Sequence, residues 1–488
     1  MKPAGFLTLA PLQIAQAVVG FGAIAAFTRL MSADEFGRYA LALSLSMAAH
    51  TLLFSWAEAA AFRFYAAAQA GRRLADHYAT LIAIVLALGL ATLLATSFLI
   101  TRIGLPENAA ALAAFAAGAA MLRFFLRIAR ESDRAALAFT RYAVLESAYL
   151  LLGFAAGIAF LLATDLGAAA PFAGLALGGG VVALIDAPRL LTQAQGGYAT
   201  LTRARLYGGY GGPLALALAV DLAVQALARI ILVEQTGTAS LGAYAAAFGL
   251  ARPLDLIFMG LSAAFAPLLF AAYESEGPEA ARNAARTAFA ALIAITLPAC
   301  VGLILVSQPL SALVIGEVLR VEAGMALPWL AIAGLFSGFT LYYWSEAFQL
   351  TRRTGLRALL MLVPGVVQLT LTFLLARPYG ALGAAVAAAV GAAAGCALLA
   401  IVGRRLIALP LPSAVLARAL AATAFMAAGL ALLPTPSGAL ALTSYVAAGA
   451  ALYALGAVGF DLLGARAHAR ALLRGLAGHR ATPSAGSQ

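Results

Sequence analysis

Charge is what this sequence has least of. Asp, Glu, Lys and Arg make up 10% of its 488 residues, where a water-soluble domain carries about a quarter. With AVILMFWYC at 64% and a mean hydropathy of +0.96, water is excluded as the main solvent. Lys2 is the only lysine, so neither a Walker A lysine nor a Schiff-base lysine is available, and any work the chain does must draw on a gradient rather than ATP. The two cysteines, Cys300 and Cys396, stand far apart inside apolar runs. They exclude a disulfide framework and a thiolate metal site and read as core thiols. His50, His77, His468 and His479 are not spaced with Cys or carboxylates as metal ligands would be. With no Gly-x-Ser-x-Gly elbow either, no cofactor and no enzymatic activity are expected.

What is present is apolar sequence in lengths that match a bilayer. Runs bounded by charge or by Pro and Gly predict helices near 6–29, 38–62, 78–101, 108–130, 136–163, 168–190 and 209–233. A second set follows near 240–270, 285–307, 323–349, 357–376, 380–402, 413–433 and 438–462. Each is long enough to cross about 30 Å of hydrocarbon, and the short connections leave no room for an extramembrane catalytic domain. The expected fold class is therefore all-α, a polytopic membrane protein of about fourteen transmembrane helices. The first run follows Lys2 but is too long for a signal peptide and leads directly into further spans, so it reads as a retained helix.

Basic residues test the count, because Lys and Arg gather on cytoplasmic loops. One set of alternate loops, which includes both termini, collects 24 of the 31 basic residues. The other holds Arg29, Arg38, Arg102, Arg320 and Arg377, and Arg229 and Arg252 fall inside spans. A missed helix would invert every later loop and erase this asymmetry. Both termini are accordingly expected in the cytoplasm. The net charge of +11 is scattered over these loops rather than gathered on one face, which argues against nucleic acid as a partner.

The chain also repeats itself. Phe36-Gly37-Arg38-Tyr39-Ala40 opens the second span and Leu241-Gly242-Ala243-Tyr244-Ala245 opens the eighth, an offset of 205 residues. The same offset sets Phe64-Tyr65-Ala66-Ala67 over Leu269-Phe270-Ala271-Ala272. Two six-helix lobes of like orientation are implied, residues 1–207 and 208–405, around a central cavity suited to alternating access. Residues 406–463 then form two additional helices, and 464–488 a basic cytoplasmic tail.

An ionised group at mid-membrane costs at least about 2.5–3.5 kcal/mol, so each one needs a partner, an aqueous cavity or a role. Asp221, Gln225 and Arg229 recur at i, i+4 and i+8 on the seventh span, and Arg252 and Asp255 stand at i, i+3 on the eighth, spaced to pair with each other. His50, Phe54 and Glu58 share a stripe on the second span, with Gln13 and Gln16 on the first. Tyr142, Glu146 and Tyr149 share a face of the fifth, and Tyr342, Glu346 and Gln349 a face of the tenth. Arg63 and Glu346 lie near the cytoplasmic ends of their spans, where snorkelling accounts for them.

The segment Thr28-Arg29-Leu30-Met31-Ser32-Ala33-Asp34-Glu35-Phe36-Gly37-Arg38-Tyr39 resembles the linker after the first helix of polysaccharide biosynthesis flippases, typically R-L-L-S-P-E-E-F-G-x-Y. Gly242-Ala243-Tyr244-Ala245-Ala246-Ala247-Phe248-Gly249-Leu250-Ala251-Arg252-Pro253 is similar to that family's second such segment, usually G-x-Y-x-x-A-x-x-x. The family lies in the multidrug/oligosaccharidyl-lipid/polysaccharide (MOP) superfamily. The resemblance implies passage of an undecaprenyl-diphosphate-linked oligosaccharide from the cytoplasmic to the periplasmic leaflet of a bacterial inner membrane. It also implies a glycan polymerase and a chain-length regulator as partners. For such an anionic diphosphate, Arg252, Arg229, Arg29 and Arg63 are the expected cationic contacts. Asp221, Asp255 and Glu58 are candidates for ion coupling from burial alone, and Gln13, Gln16, Gln225 and Glu146 are polar cavity residues. Many family members place Asp and Arg together in span seven, whereas here Asp221 and Arg229 are separated. Three other readings compete. A drug or metabolite exporter of the same superfamily usually has twelve helices, a membrane glycan polymerase or ligase needs a long periplasmic loop, and a scaffold has little use for charged stripes.

Overall fold

The computed structural model describes residues 10–103 and 106–467, and every regular element among them is a helix. Lys2 and the tail from residue 468 onward lie outside the described residues, as does the side chain of Asp221. In hydrocarbon only a helix satisfies its own backbone polar groups along a single segment, which is why the apolar runs of the sequence became helices almost without remainder.

Among the described residues, twelve helices are long and apolar enough to cross a membrane, from Pro11–Leu30 to Ala439–Gly459. Ala33–Leu53 and Ser55–Ala70 form one more span, bent by 47° at Phe54. The 50-residue run Thr354–Gly403 is long enough for two spans and breaks at Gly380, whose φ of 55° and ψ of −135° no helix can hold. Dividing it there gives the fourteen spans expected. Their ends differ from the expectation where charge misled: the seventh helix is Leu201–Thr236, starting well before 209 because Thr200 caps its Arg-rich first turn.

The helices form two compact units. The first comprises residues 1–249 with 314–319 and 372–381, and the second the remainder. In the first, spans five and six approach backbone to backbone: a methyl group at Gly174 would meet Gly157 N at 2.3 Å, and one at Gly178 would meet Gly153 N at 2.6 Å. Small residues spaced by four on both helices make this contact possible.

The repeated motif acquires a physical reason in the same unit. Ser32 caps the second span, its hydroxyl accepting from Glu35 N while Glu35 Oε2 accepts from Ser32 N at 2.9 Å, a complete capping box. Gly37 lies against the start of the eighth helix, where a Cβ would fall 1.8 Å from Thr238 O, and a Cβ on Gly242 would fall 3.0 Å from Ala33 O. Thr238 Oγ1 donates to Asp34 Oδ1 at 2.6 Å. The two copies of the motif thus cross at their glycines.

In the second unit, spans eight, nine and ten share an aromatic core of Phe258, Phe289, Phe339, Tyr343 and Phe348. The last two spans, Ser413–Ala431 and Ala439–Gly459, pack on each other. Span fourteen is tied to span nine by Tyr453, whose hydroxyl donates to Ala294 O at 2.6 Å. Cys300 is buried and Cys396 half-buried, both as free thiols.

Spans four, five and six end on a buried ionic cluster. Arg130 is 1% exposed and hydrogen-bonds Asp186, which is fully buried before Pro188. Arg141 Nη2 meets Asp186 Oδ1 at 2.6 Å, and Arg189 Nη1 meets Asp133 Oδ1 at 2.5 Å. Removing one partner of a buried pair leaves an uncompensated charge at a cost of about 3–5 kcal/mol. Asp186→Ala should therefore lower thermal stability in detergent by that order. Arg134→Ala, an exposed partner of Glu131 within one turn, should cost less than about 1 kcal/mol. Equal shifts in Tm for the two variants would contradict the cluster's structural role.

Candidate functional site

The bend at Phe54 organises the richest polar site in the first unit. His50 and Glu58 stand two turns apart on one face of the second span, either side of the break, and His50 Nε2 lies 2.7 Å from Glu58 Oε1. Ser55 Oγ, within the bend, donates to Thr51 O at 2.5 Å. Glu58 Oε2 is 3.5 Å from Arg127 Nε on the fourth span, and Arg127 Nη2 is 3.0 Å from Glu131 Oε1. Glu131 in turn accepts from Arg134 at 2.9 Å. A chain of paired charges thus runs from mid-span two to the end of span four.

Arg123 stands one helical turn before Arg127, and its charge acts on Glu58 and on Tyr149 of the fifth span. Glu146, buried on the fifth span, acts on Arg127. Glu58 and Glu146 thereby join one constellation, with His50, Arg123, Arg127 and Glu131. His50 ties the Glu58 carboxylate across the bend, and Arg127 and Arg123 bring positive charge to its other side.

The other expected residues fall in separate places. Arg229 is half-buried, with its guanidinium 5.3 Å from the centre of the Phe248 ring and close to Tyr244; this cation–π contact keeps a positive charge at a nearly apolar site. Arg29 is exposed and donates to Ala25 O at 2.9 Å and Val314 O at 2.8 Å, so its head group ties backbone carbonyls together. Arg63 is exposed, as are Gln13 and Gln16, and Gln225 is half-buried. In the second unit, Arg252 and Asp255 are both exposed and form no ion pair with each other among the described residues. Asp255 instead accepts from Tyr342 at 3.4 Å. Among the described residues no group of His, Cys, Asp or Glu is placed to hold a metal ion.

Sequence reading missed Arg123, Arg127 and Glu131 as site residues, because their closeness to the end of span four placed the arginines among the loop charges. The signal was there: spacing at i, i+4 and i+8 makes the same stripe as Asp221, Gln225 and Arg229.

The described residues thus form an all-helical chain with length and apolar sequence for about fourteen membrane spans. It shares that fold with members of the MOP superfamily. A structure described as the lipid II flippase MurJ in an inward closed conformation superposes with a TM-score of 0.75 at 14% identity, covering 93% of this chain and 99% of that one. An inward-facing multidrug resistance MATE transporter of the superfamily gives 0.63 at 15% identity, covering 82% of this chain and 98% of the other. A superfamily transporter from Pyrococcus furiosus, described as having a binding pocket of reverse polarity, gives 0.53 at 17% identity over 83% of this chain and 95% of that one. No protein-family model and no curated protein sequence matches the chain. The resemblance read in the linker motifs therefore holds at the level of fold.

A hydrogen bond to a charged group contributes about 1.5–3 kcal/mol. A double-mutant cycle of His50→Ala and Glu58→Gln, read by thermal stability in detergent, should return a coupling of that order. Additive single effects would mean that the pair does not span the bend in the membrane-solubilised protein.

Proposed function

We propose that the chain is a flippase for a lipid-linked anionic oligosaccharide. It carries an undecaprenyl-diphosphate-linked glycan from the cytoplasmic to the periplasmic leaflet of a bacterial inner membrane, driven by an ion gradient, with both termini cytoplasmic. The observation that supports this most is an apolar cleft in the second unit. Pro253 and Leu254 of span eight, Ala299 and Leu303 of span nine, and Leu442 and Val446 of span fourteen line it. Its walls suit a polyprenyl chain, which gains about 0.8 kcal/mol for each methylene buried. Arg252 precedes Pro253 on span eight and is exposed, and on this reading its guanidinium binds the diphosphate joined to that chain. Part of the cleft belongs to span fourteen. The MurJ superposition reaches 93% of this chain and the MATE superposition 82%, which fits a lipid substrate better than a soluble drug.

On this reading, Arg229, Arg29 and Arg63 supply further positive charge along the path. Glu58 with His50 takes part in ion coupling, and Asp221 and Asp255 are the other acidic candidates. Gln13, Gln16, Gln225 and Glu146 supply polar contacts to sugar. A polymerase and a chain-length regulator would act on the product. The protein acts as a carrier, with no covalent chemistry of its own. The two six-helix lobes at 1–207 and 208–405, with 406–463 as an addition, are the moving parts proposed for alternating access.

A cation-coupled drug or metabolite exporter is the second reading, favoured by the buried carboxylates Glu58, Glu131 and Glu146 in the first unit. One assay separates the two. Leaflet sidedness of a fluorescent undecaprenyl-diphosphate oligosaccharide is followed in proteoliposomes under an imposed proton gradient. Arg252→Ala should slow translocation about tenfold or more, as loss of a charge-assisted contact of about 1.5–3 kcal/mol requires, and Arg252→Lys should recover part of the rate. An intact protein that moves no lipid-linked sugar under any gradient, yet expels small organic cations, would establish the exporter instead.

A further inference from the structure

Span ten changes geometry just before its only acid in this stretch. Glu317–Phe339 is an ordinary helix, Thr340–Trp344 is a wide π turn, and Glu346–Leu350 resumes the helix. Ser345 N donates to Thr340 O at 3.0 Å, five residues back, and Ser345 Oγ donates to the same carbonyl at 2.7 Å. Such single wide turns recur at functional sites because one added residue re-aims the side chains that follow. Here the neighbours of the turn are pinned. Tyr343 OH donates to Pro410 O at 2.5 Å, and Tyr342 stacks on Phe258 with ring centres 6.1 Å apart while its hydroxyl reaches Asp255 on span eight.

The side chain that the turn re-aims is Glu346. It is 6% exposed and lines a small cavity with Ser262 and Phe265 of span eight, Leu292 of span nine, and Tyr342. The cavity has room for about one water molecule. Oε2 of Glu346 has no hydrogen-bond partner. The charged group that acts on it is Arg357 of the helix Thr354–Leu360, but no ion pair joins them among the described residues, and Arg357 Nε is itself buried without a partner. Arg286 of span nine acts on Tyr343, and Asp255 of span eight is reached through Tyr342. An ionised carboxylate with an unserved oxygen in such a cavity is costly. A proton on that oxygen removes the charge and supplies a donor. A bound metal cation would need several more oxygens than Ser262 and the two tyrosines offer.

We propose that Glu346 is a proton-binding site of the second unit, taking a proton from water on one side of the membrane and returning it to water on the other. This rests on the reading of the chain as an ion-driven transporter and names the coupling ion and its seat. When the proton leaves, the carboxylate draws on water or on Arg357, and the π turn that joins spans eight and ten through Tyr342 must adjust.

Trp344 adjoins the site and reports on it. The sequence contains three tryptophans, so Trp56→Phe with Trp329→Phe leaves Trp344 as the sole emitter. In nanodiscs without substrate, its fluorescence should follow a one-proton curve between about pH 5 and pH 9, the range over which buried carboxyls titrate. Glu346→Gln should abolish the transition, and Glu346→Asp should keep it with a displaced midpoint, which also serves if the Gln variant does not fold. A flat parent curve, or an undiminished transition in Glu346→Gln, would overturn the proposal. So would a midpoint displaced by sodium chloride but not by choline chloride, since that marks a metal-cation site. Because no lipid-linked sugar is present, an intact transition in a protein that moves no such lipid would remove the flippase reading and leave the proton site standing.

Discussion

A charge inside a bilayer must find its counter-charge within the protein, because no solvent is there to supply one, and the arrangement of this molecule follows from that constraint. With 10% charged residues, few pairs are available, and the first unit concentrates them. Glu58, Glu131, Asp133 and Asp186 each lie against a guanidinium. The pairs link spans two, four, five and six, so helices whose apolar faces would slide freely in lipid are fixed in register by a few polar contacts. Packing of small residues does the rest: the Gly153–Gly157 and Gly174–Gly178 faces bring two backbones together with no side chain between them.

Arginine suits this role better than lysine. Its planar fork serves two acceptors at once and loses less on leaving water than an ammonium. Arg130 contacts both Asp133 and Asp186, and Arg127 contacts both Glu58 and Glu131. A point charge on a flexible stem could not hold such a branch. The near absence of lysine thus has a structural counterpart in the first unit.

The number of spans was legible because about twenty apolar residues in a row admit few other structures, and Gly37 and Gly242, which the offset of 205 residues singled out, both lie where helices come close. The linker motif that resembled a flippase family turns out to combine a capping box at Ser32 and Glu35 with a glycine crossing, two features that local sequence specifies. The site was legible only in part. Glu58 and Glu146 stood out as acids in apolar runs, but Arg123 and Arg127 were indistinguishable from loop charges, since position along a span does not reveal what the neighbouring span presents. Nor did spacing settle pairing. Arg252 and Asp255 stand where a helical ion pair would form, yet Asp255 is taken up by Tyr342 from another helix. Glu346 passed for a snorkelling acid because a π turn, which turns it inward, leaves no mark in hydrophobic periodicity.

The two units therefore differ in how they hold their acids, and the difference bears on how a gradient could drive the cycle. In the first unit, Glu58 and Asp186 each already hold an arginine. In the second, Glu346 has an oxygen with no hydrogen-bond partner and no guanidinium in an ion pair among the described residues. A coupling ion is taken up where its binding is favourable in one state and unfavourable in the other, since a ligand shifts an equilibrium only by its differential affinity. The acids of the first unit are held by arginines already in place, whereas the unpaired acid of the second stands next to a wide turn tied to two neighbouring segments, so a proton gained or lost there bears directly on what that turn must accommodate.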